Sequence, residues 1–234
     1  RAVAGLTTRQ IAAAYLVPEA TVAQRISRAK QQIAGSRLDR PGDLSRVLRV
    51  LYLLFNEGYT GEVDLGIEAI RVTRQLSALV DEPEVRGLLA LMLLHDARRP
   101  ARIREGQLVP LAEQDRALWK VASIEEGIRI LTAALDRDRL GQYQVQAAIA
   151  AMHADAHTTA ETDWVQIVEW YDELMTFTNT PIVRLNRAVA VGEADGPAAG
   201  LAALERVDVS TPRYWAVRAH LHERAGARAT ATRE

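Results

Sequence analysis

Apolar residues recur every three to four positions along nearly the whole chain, which is the period of an amphipathic α-helix. No stretch shows the sustained alternation of apolar and polar residues that marks a half-buried strand. Proline and glycine interrupt the pattern and mark the breaks between helices. We therefore predict an all-α fold. The segments predicted beyond the first 35 residues are 44–57, 64–80, 83–99, 113–119, 124–137, 143–157, 162–177, 181–193, 197–206 and 213–225, with a loop over 102–112.

The first 35 residues predict two short helices joined by a tight turn. Thr7 stands three positions before Gln10, a spacing that can cap a helix start, and this helix should end near Tyr15. Pro18 suits the first turn of a second helix, predicted over 18–33. The apolar residues that share one face of that second helix are Val22, Ile26, Ala29 and Ile33. Such a pair has the mechanics of a helix-turn-helix, whose second helix enters the major groove of DNA.

Glycine and proline between the helix pair and the next periodic segment predict a linker over 36–42. We divide the chain into a helix-turn-helix unit over 1–35, this linker, and a larger helical unit over 43–234. In the last third, helix pairs return at roughly 35 to 40 residues, a spacing comparable to tetratricopeptide (TPR) repeats. The small residues that would let two helices of one such unit pack closely are Ala190, Gly192, Ala199 and Ala203. Two interpretations remain: a degenerate TPR-like array of antiparallel helix pairs, or an irregular bundle.

Charge is distributed unevenly along the chain. Residues 1–40 carry seven basic side chains and two acidic ones, whereas the whole chain has a net charge of −1, so the remainder is net acidic. A basic module joined to an acidic one fits a nucleic-acid contact at one end only, although the same charges also suit a solvated helix face. The hydrophobic fraction of 48% predicts a folded protein and not a disordered one.

The chain contains 0 cysteines, which excludes disulfides and thiolate metal sites and suits a reducing compartment. No segment approaches the roughly 18 consecutive apolar residues that a membrane span needs. We therefore expect a cytoplasmic location with no membrane partner. Arg1 is followed at once by sequence typical of the middle of a domain, which suggests a fragment of a longer protein.

His153 and His157 stand one helical turn apart and could supply two metal ligands. The sequence offers no identifiable third ligand near them. We therefore predict that both are helix-surface histidines and that the chain has no metal site.

His95 and Asp96, together with Asp115, could orient a general base. No nucleophile or glycine-rich oxyanion loop accompanies them. We expect polar contacts among Asp96, Arg98, Arg99, Asp115 and Arg116 to fix the loop after Arg99. The sequence predicts no catalytic residues and no cofactor.

Several segments together resemble one subgroup of the extracytoplasmic-function (ECF) RNA polymerase sigma factors. The N-terminal segments GLTTRQIA, LVPEATV and RISRAK resemble part of sigma region 4, which binds the −35 promoter element. The segments YLLFNEGY, LALMLLHDARR, QAAIAA and LNRAVAV resemble the C-terminal tetratricopeptide-like extension of that subgroup. The resemblance covers essentially the whole chain. It implies a sigma factor that directs RNA polymerase to promoters, with the extension as a regulatory domain.

The same resemblance implies which side chains contact DNA. The residues concerned are Thr21, Gln24, Arg25, Arg28 and Lys30. We expect Gln24 and Arg28 to reach base edges and Arg25 to contact phosphate, because Arg and Gln can pair bidentately with guanine and adenine. Promoter DNA and core RNA polymerase are the implied partners, with a regulatory protein bound by the helical domain as a further candidate.

An alternative function is a helical-repeat scaffold unrelated to sigma factors, which binds a protein or peptide. In that case the first helix pair only caps the array. The tryptophans that could either complete the core or line such a groove are Trp119, Trp164, Trp170 and Trp215. The two functions differ in one respect that can be measured, since only the sigma factor should associate with RNA polymerase.

Overall fold

The computed structural model of the chain describes residues 7–14, 17–34, 42–58, 65–156, 158–207 and 212–226. Nearly all of the regular structure in these ranges is helical, which confirms the all-α prediction. The helices are α1 Thr8–Ala14, α2 Glu19–Ile33, α3 Leu44–Glu57, α4 Leu65–Leu79, α5 Pro83–Ala97, α6 Arg99–Arg102, α7 Val121–Leu135, α8 Gln142–Asp155, α9 Trp164–Phe177, α10 Pro181–Ala194, α11 Pro197–Leu204 and α12 Pro212–Arg224. In the described part of the chain, no helix is long and apolar enough to cross a membrane.

The predicted loop over 102–112 contains a short antiparallel hairpin, with β1 at Ile103–Arg104 and β2 at Gln107–Leu108. Its two turn residues, Glu105 and Gly106, have φ angles of 54° and 78°. Positive φ at both central positions is the geometry that matches the twist of a two-residue hairpin. These two strands were not predicted, because a strand of two residues is too short to show an alternation of apolar and polar positions.

The prediction of a helix over 113–119 is wrong. Two separate 3₁₀ turns, Leu111–Glu113 and Arg116–Leu118, occupy this region instead. The side chain of Asp115 accepts a hydrogen bond from the backbone N–H of Ala117 at 2.9 Å and so begins a new turn. An aspartate that bonds the backbone in this way competes with a continuous helix.

Helix α5 is the centre of the main core. Twelve of its fifteen residues are buried, so it is apolar around almost its whole circumference. Helices α3, α4, α7 and α8 pack against it and enclose it. A helix buried on every side needs partners on every side, which explains why the largest cluster of apolar contacts draws on residues from all of these elements.

Helices α5 and α8 run side by side in the same direction. At their N-terminal ends, the carboxylate of Glu84 accepts a hydrogen bond from the backbone N–H of Tyr143 at 2.8 Å. Gly87 lies against Gln144, and a Cβ added at Gly87 would stand 2.5 Å from the Gln144 side chain. This close approach fixes the alignment of the two helices, and it brings their C-terminal ends together as well.

The C-terminal helices α9 to α12 pack around smaller apolar clusters of their own. Gly192 of α10 faces Gly200 of α11, and a Cβ added at Gly200 would lie 2.8 Å from the Cα atom of Gly192. The predicted close packing of helices here is therefore confirmed, with Gly200 as a contributor that the sequence analysis did not single out. Whether these pairs repeat in a regular TPR-like manner stays a prediction.

Candidate nucleic-acid interface

Helix α2 is held in place through a narrow face. Val22 is 4% exposed and packs toward α1, where Ala12 is 5% exposed. Ile26, one turn further along, is half-buried. The predicted apolar face is shorter than expected, because Ala29 is exposed, and the side chain of Ile33 lies outside the described residues. Among the side chains of α2 that the structure describes, Val22 alone is buried, so most of the helix surface faces solvent.

The predicted DNA-reading residues form one exposed face of α2. Gln24, Arg25 and Arg28 are all exposed. Their spacings of three and four positions place them side by side on the helix surface. Thr21 lies on the same face, one turn before Gln24 and Arg25, and is half-buried. We call Thr21, Gln24, Arg25 and Arg28 the α2 polar face.

Lys30 is exposed but does not belong to the α2 polar face. It stands two positions beyond Arg28, and at 3.6 residues per turn this places it on the other side of the helix. The five predicted site residues are therefore divided between one coherent face and one separate cation.

The chemistry of the α2 polar face suits a nucleic acid. Arg28 offers five N–H donors in a planar fork, which can pair with both acceptors of a guanine edge. Gln24 can pair in the same bidentate manner with adenine. Arg25 can neutralise a phosphate beside them. An exposed helix with this composition can combine sequence reading with electrostatic attachment.

A second polar site lies where the C-terminal ends of α5 and α8 meet. His95 is in the last turn of α5, and His153 is in the last turn of α8. Arg98 follows α5, Arg102 ends α6, and Arg116 begins a 3₁₀ turn. All five side chains are half-buried. We call these five residues the basic cluster.

The two imidazoles of the basic cluster are held neutral at pH 7. Burial lowers the pKa of His95 to about 3, and the positive charges of Arg98 and Arg102 lower it further in the same direction. Burial likewise lowers the pKa of His153 to about 4, with Arg98 and Arg116 acting in the same sense. Arg98 therefore influences both imidazoles.

Aromatic rings border the basic cluster. The ring of His153 meets Trp164 edge-on at 5.2 Å between centroids, and the ring of His95 lies 6.5 Å from Phe55. The prediction that His153 is a helix-surface histidine is therefore wrong, because its ring packs in an aromatic contact at the junction of α8 and α9. His157, the other member of the predicted pair, lies outside the described residues.

Arg116 fixes the C-terminal end of α8. Its guanidinium donates hydrogen bonds to the backbone oxygens of His153 at 2.9 Å and of Ala156 at 2.7 Å. The same guanidinium lies 4.4 Å from the centre of the Trp119 ring. Carbonyls at a helix end lack partners within the helix and attract a positive charge. Arg116 is consequently held in a defined position inside the cluster.

Asp96 holds the chain that follows α5. Its carboxylate pairs with Lys120 at 2.7 Å and approaches Arg99 at 3.9 Å. The backbone N–H of Lys120 also bonds the carbonyl of Ala97 at 3.0 Å. The expected role of Asp96 and Arg99 in fixing this loop is confirmed.

Metal-ligating side chains do not converge within the described ranges, where no group of three or more His, Asp or Glu residues could hold a metal ion. The carboxylate of Asp115 accepts a hydrogen bond from the backbone N–H of Ala117, within its own turn.

The basic cluster as a unit was not predicted from the sequence. Arg98 and Arg102 were visible as a basic run after a long apolar segment, and such a run at the end of a buried helix could have been flagged. Arg116 was expected to contact the same loop, but nothing in the sequence showed that His153 would join these residues. That juxtaposition depends on the parallel alignment of α5 and α8.

Residues 43–135 match DUF6596, a protein family of unknown function. The match extends from the residue before α3 to the end of α7, and it includes every member of the basic cluster except His153. The helix pair α1 and α2 lies before it.

The chain is also similar to an uncharacterized protein of Rhizobium meliloti (strain 1021), with 44% identity over 222 residues. The aligned region covers 88% of this chain and 52% of that protein, so the chain spans about half the length of the curated relative it matches. No solved structure matches the chain.

Proposed function

We propose that this chain is part of a sigma-type transcription initiation factor, in which the α2 polar face contributes to reading the −35 promoter element. The helical unit from residue 43 onward then regulates that activity. Promoter DNA and core RNA polymerase are its partners, and the cytoplasm is its location.

One observation carries this proposal. Helix α2 rests on α1 through Val22 and leaves Gln24, Arg25 and Arg28 exposed along a single face. A purely structural capping hairpin would have no need for a row of Arg and Gln side chains in this arrangement. The resemblance of the first 30 residues to sigma region 4 and the excess of basic residues in the same segment support the same function.

The proposal can be tested with the full chain and duplex DNA. Sequences that bind would be selected from a random duplex library, and the affinity for the selected sequence would be measured by fluorescence anisotropy over a range of salt concentrations. Arg28→Ala should weaken binding by about 1 to 3 kcal/mol, which is roughly 5- to 150-fold, and should relax preference at one base position. Arg25→Ala should weaken binding to all sequences and reduce the salt slope by about 1.

Arg206→Ala provides the matched control, because Arg206 is an exposed arginine just beyond α11 and far along the chain from α2. Its affinity should equal that of the original chain. Equal affinity for Arg28→Ala and Arg206→Ala would contradict the role assigned to α2. Co-sedimentation with core RNA polymerase separates the two functions considered, since a scaffold unrelated to sigma factors should not associate with it.

A further inference from the structure

The N-terminal end of α8 has no capping side chain of its own. Its N-cap residue is Gly141, and the carboxylate of Glu84 on α5 takes the place of the missing cap. Oε1 of Glu84 accepts a hydrogen bond from the backbone N–H of Tyr143 at 2.8 Å, and Oε2 accepts one from the backbone N–H of Gln144 at 3.3 Å. A Cβ added at Gly141 would collide with this carboxylate. The lack of a side chain at residue 141 therefore makes room for a cap supplied by another helix.

Gln144 links the same carboxylate to the connection between α7 and α8. Gln144 is 0% exposed, and its Nε2 atom donates hydrogen bonds to Oε2 of Glu84 at 3.3 Å and to the backbone oxygen of Arg139 at 2.9 Å. The Oε1 atom of Gln144 is also buried, and it accepts no hydrogen bond from the residues that the structure describes. A buried acceptor without a donor is unfavourable. The amide of Gln144 therefore lacks one donor group beside it.

A proton on Oε2 of Glu84 would supply that donor, because a neutral carboxyl group carries one O–H whereas an ionised one only accepts. The proton comes from solvent, and only hydrogen bonds are exchanged. Rotation of the Gln144 amide by half a turn places its oxygen where Nε2 now stands, 3.3 Å from Oε2. The same rotation brings that oxygen against the Arg139 carbonyl, which Nε2 now contacts at 2.9 Å. Two acceptors repel each other at this distance, so the Arg139 carbonyl has to move away.

The surroundings of Glu84 favour its neutral form. Burial raises the pKa of Glu84, and the hydrogen bonds from Tyr143 and Gln144 only partly oppose that effect. The carboxylate is thus held by good hydrogen bonds in a place that penalises its charge. Both protonation states have hydrogen-bond partners here, which is the requirement for a group that changes state within a folded protein.

Ion pairs beside Glu84 join the connection between α4 and α5 to the connection between α7 and α8. Arg137 pairs with Asp81 at 3.0 Å, and Arg139 pairs with Glu82 at 3.2 Å. Arg139 therefore holds Glu82 through its guanidinium and Gln144 through its carbonyl. The other charged or titratable groups on the elements packed here are Arg86, which pairs with Asp81, and Arg49, Tyr52 and Tyr143, which interact with one another between α3 and α8.

We propose that Glu84 and Gln144 form a proton-operated switch at the start of α8. When Glu84 is ionised, its carboxylate caps α8, and the Gln144 amide holds the Arg139 carbonyl. When Glu84 is neutral, its O–H donates to Oε1 of Gln144, and the connection between α7 and α8 is released from Gln144. Glu84 lies within the segment that matches DUF6596 and Gln144 lies beyond it, so the switch joins that segment to the helices that follow. This inference does not depend on the proposed DNA contact of α2.

An NMR titration of the full chain between about pH 4 and pH 8 tests the proposal. The carboxyl carbon of Glu84 and the side-chain amide of Gln144 would be followed together. We expect both to titrate with one midpoint above 4.5, the ordinary pKa of a glutamate, and nuclear Overhauser contacts from the Gln144 amide protons to Arg139 should disappear below that midpoint. A midpoint at or below 4.5 would overturn the proposal. So would a Gln144 amide that does not respond while Glu84 titrates.

Glu84→Gln should abolish the titration of the Gln144 amide, whereas Glu125→Gln, at an exposed position on α7, should leave it unchanged. Glu84→Asp serves if Glu84→Gln fails to fold by circular dichroism. Its shorter side chain keeps the charge but withdraws the carboxyl group from Gln144, so the Gln144 amide should again stop titrating. Persistence of the Gln144 titration in a folded variant of Glu84 would overturn the proposal.

Urea unfolding provides a second measurement that needs no assigned resonances. The folded chain should hold the Glu84 proton at pH values where the unfolded chain has released it, so this group favours the folded state at low pH and loses that contribution as pH rises through its folded-state pKa. Relative to Glu84→Gln, the original chain should therefore gain stability as pH falls from about 7 toward 4.5. This direction is opposite to that of His95 and His153, which are present in both chains and cancel in the comparison. A difference that stays constant or shrinks would contradict proton uptake by Glu84.

Discussion

Helices α2 and α5 are the same length, but α5 is mostly buried and α2 is mostly exposed to solvent. Helix α5 buries twelve of its fifteen residues, while the described side chains of α2 include a single buried one, Val22. Burial on nearly every side gives α5 its role in stability and leaves it little exposed surface. Helix α2 contributes little to the core, and its side chains are correspondingly available for recognition. Substitutions in α5 should therefore change stability, whereas substitutions in α2 should change binding.

The largest expected effect is on stability, at the centre of α5. Leu88 is 0% exposed, so Leu88→Ala should lower the free energy of unfolding by about 2 to 5 kcal/mol through lost burial and an unfilled cavity. Urea denaturation followed by circular dichroism would measure this change. Leu79→Ala is the matched control, because Leu79 is 83% exposed at the end of α4 and should change stability by no more than about 0.5 kcal/mol. Similar losses for both variants would contradict the central role of α5.

A second effect on stability is expected from pH, through the ends of α5 and α8. The folded-state pKa values of His95 and His153 are about 3 and about 4, below the value near 6.5 of an unfolded chain. As pH falls below about 6.5, the unfolded chain binds protons that the folded chain does not, so the free energy of unfolding falls. The contribution is complete above that pH. Unfolding measured between pH 7 and pH 5 should show this loss, and the variant carrying both His95→Gln and His153→Gln should show a flatter dependence. An unchanged slope in that variant would show that other groups are responsible.

The smallest expected effect on stability is at the α2 polar face. Arg28 is exposed, so Arg28→Ala should change the free energy of unfolding by no more than about 0.5 kcal/mol, even though it weakens DNA binding. The same urea experiment provides the measurement. A loss comparable with that of Leu88→Ala would mean that Arg28 supports the fold, and its effect on DNA could then not be assigned to direct contact.

Most helices were predicted well from the sequence, because the three-to-four-residue spacing of a helix is visible within one contiguous segment. The segment predicted over 44–57 coincides with α3, and Asp43 caps its first turn by accepting a hydrogen bond from the Ser45 backbone N–H at 3.0 Å. The failure over 113–119 had a local cause that spacing does not show, namely the side chain of Asp115 bonding its own turn. Gly58, which directly follows α3, has a φ of −64°, and its lack of a side chain allows close approach to Gly66.

The two candidate sites were also predictable to different degrees, depending on whether their residues lie within one helix or come from distant segments. The α2 polar face lies within a single helix, so positions 24, 25 and 28 could be placed together from spacing alone. Lys30 was grouped with them by resemblance, and helix geometry separates it. The basic cluster combines residues from distant segments, and only tertiary packing brings them together. His153 shows this most clearly, because its sequence neighbours give no sign of Trp164 or Arg98 beside it.

The contact between Gly87 and Gln144 makes α8 part of the same packed unit as α5. The segment shared with DUF6596 ends at residue 135, with α7, whereas the side of α5 that bears Gly87 is covered by α8. A piece cut at that boundary would retain the most apolar helix of the chain with one flank open to water, and exposed apolar surface of this kind promotes aggregation. The segment that matches DUF6596 is therefore shorter than the packed unit that contains α5. A truncated chain that is meant to stay soluble has to extend at least through Asp155, the end of α8.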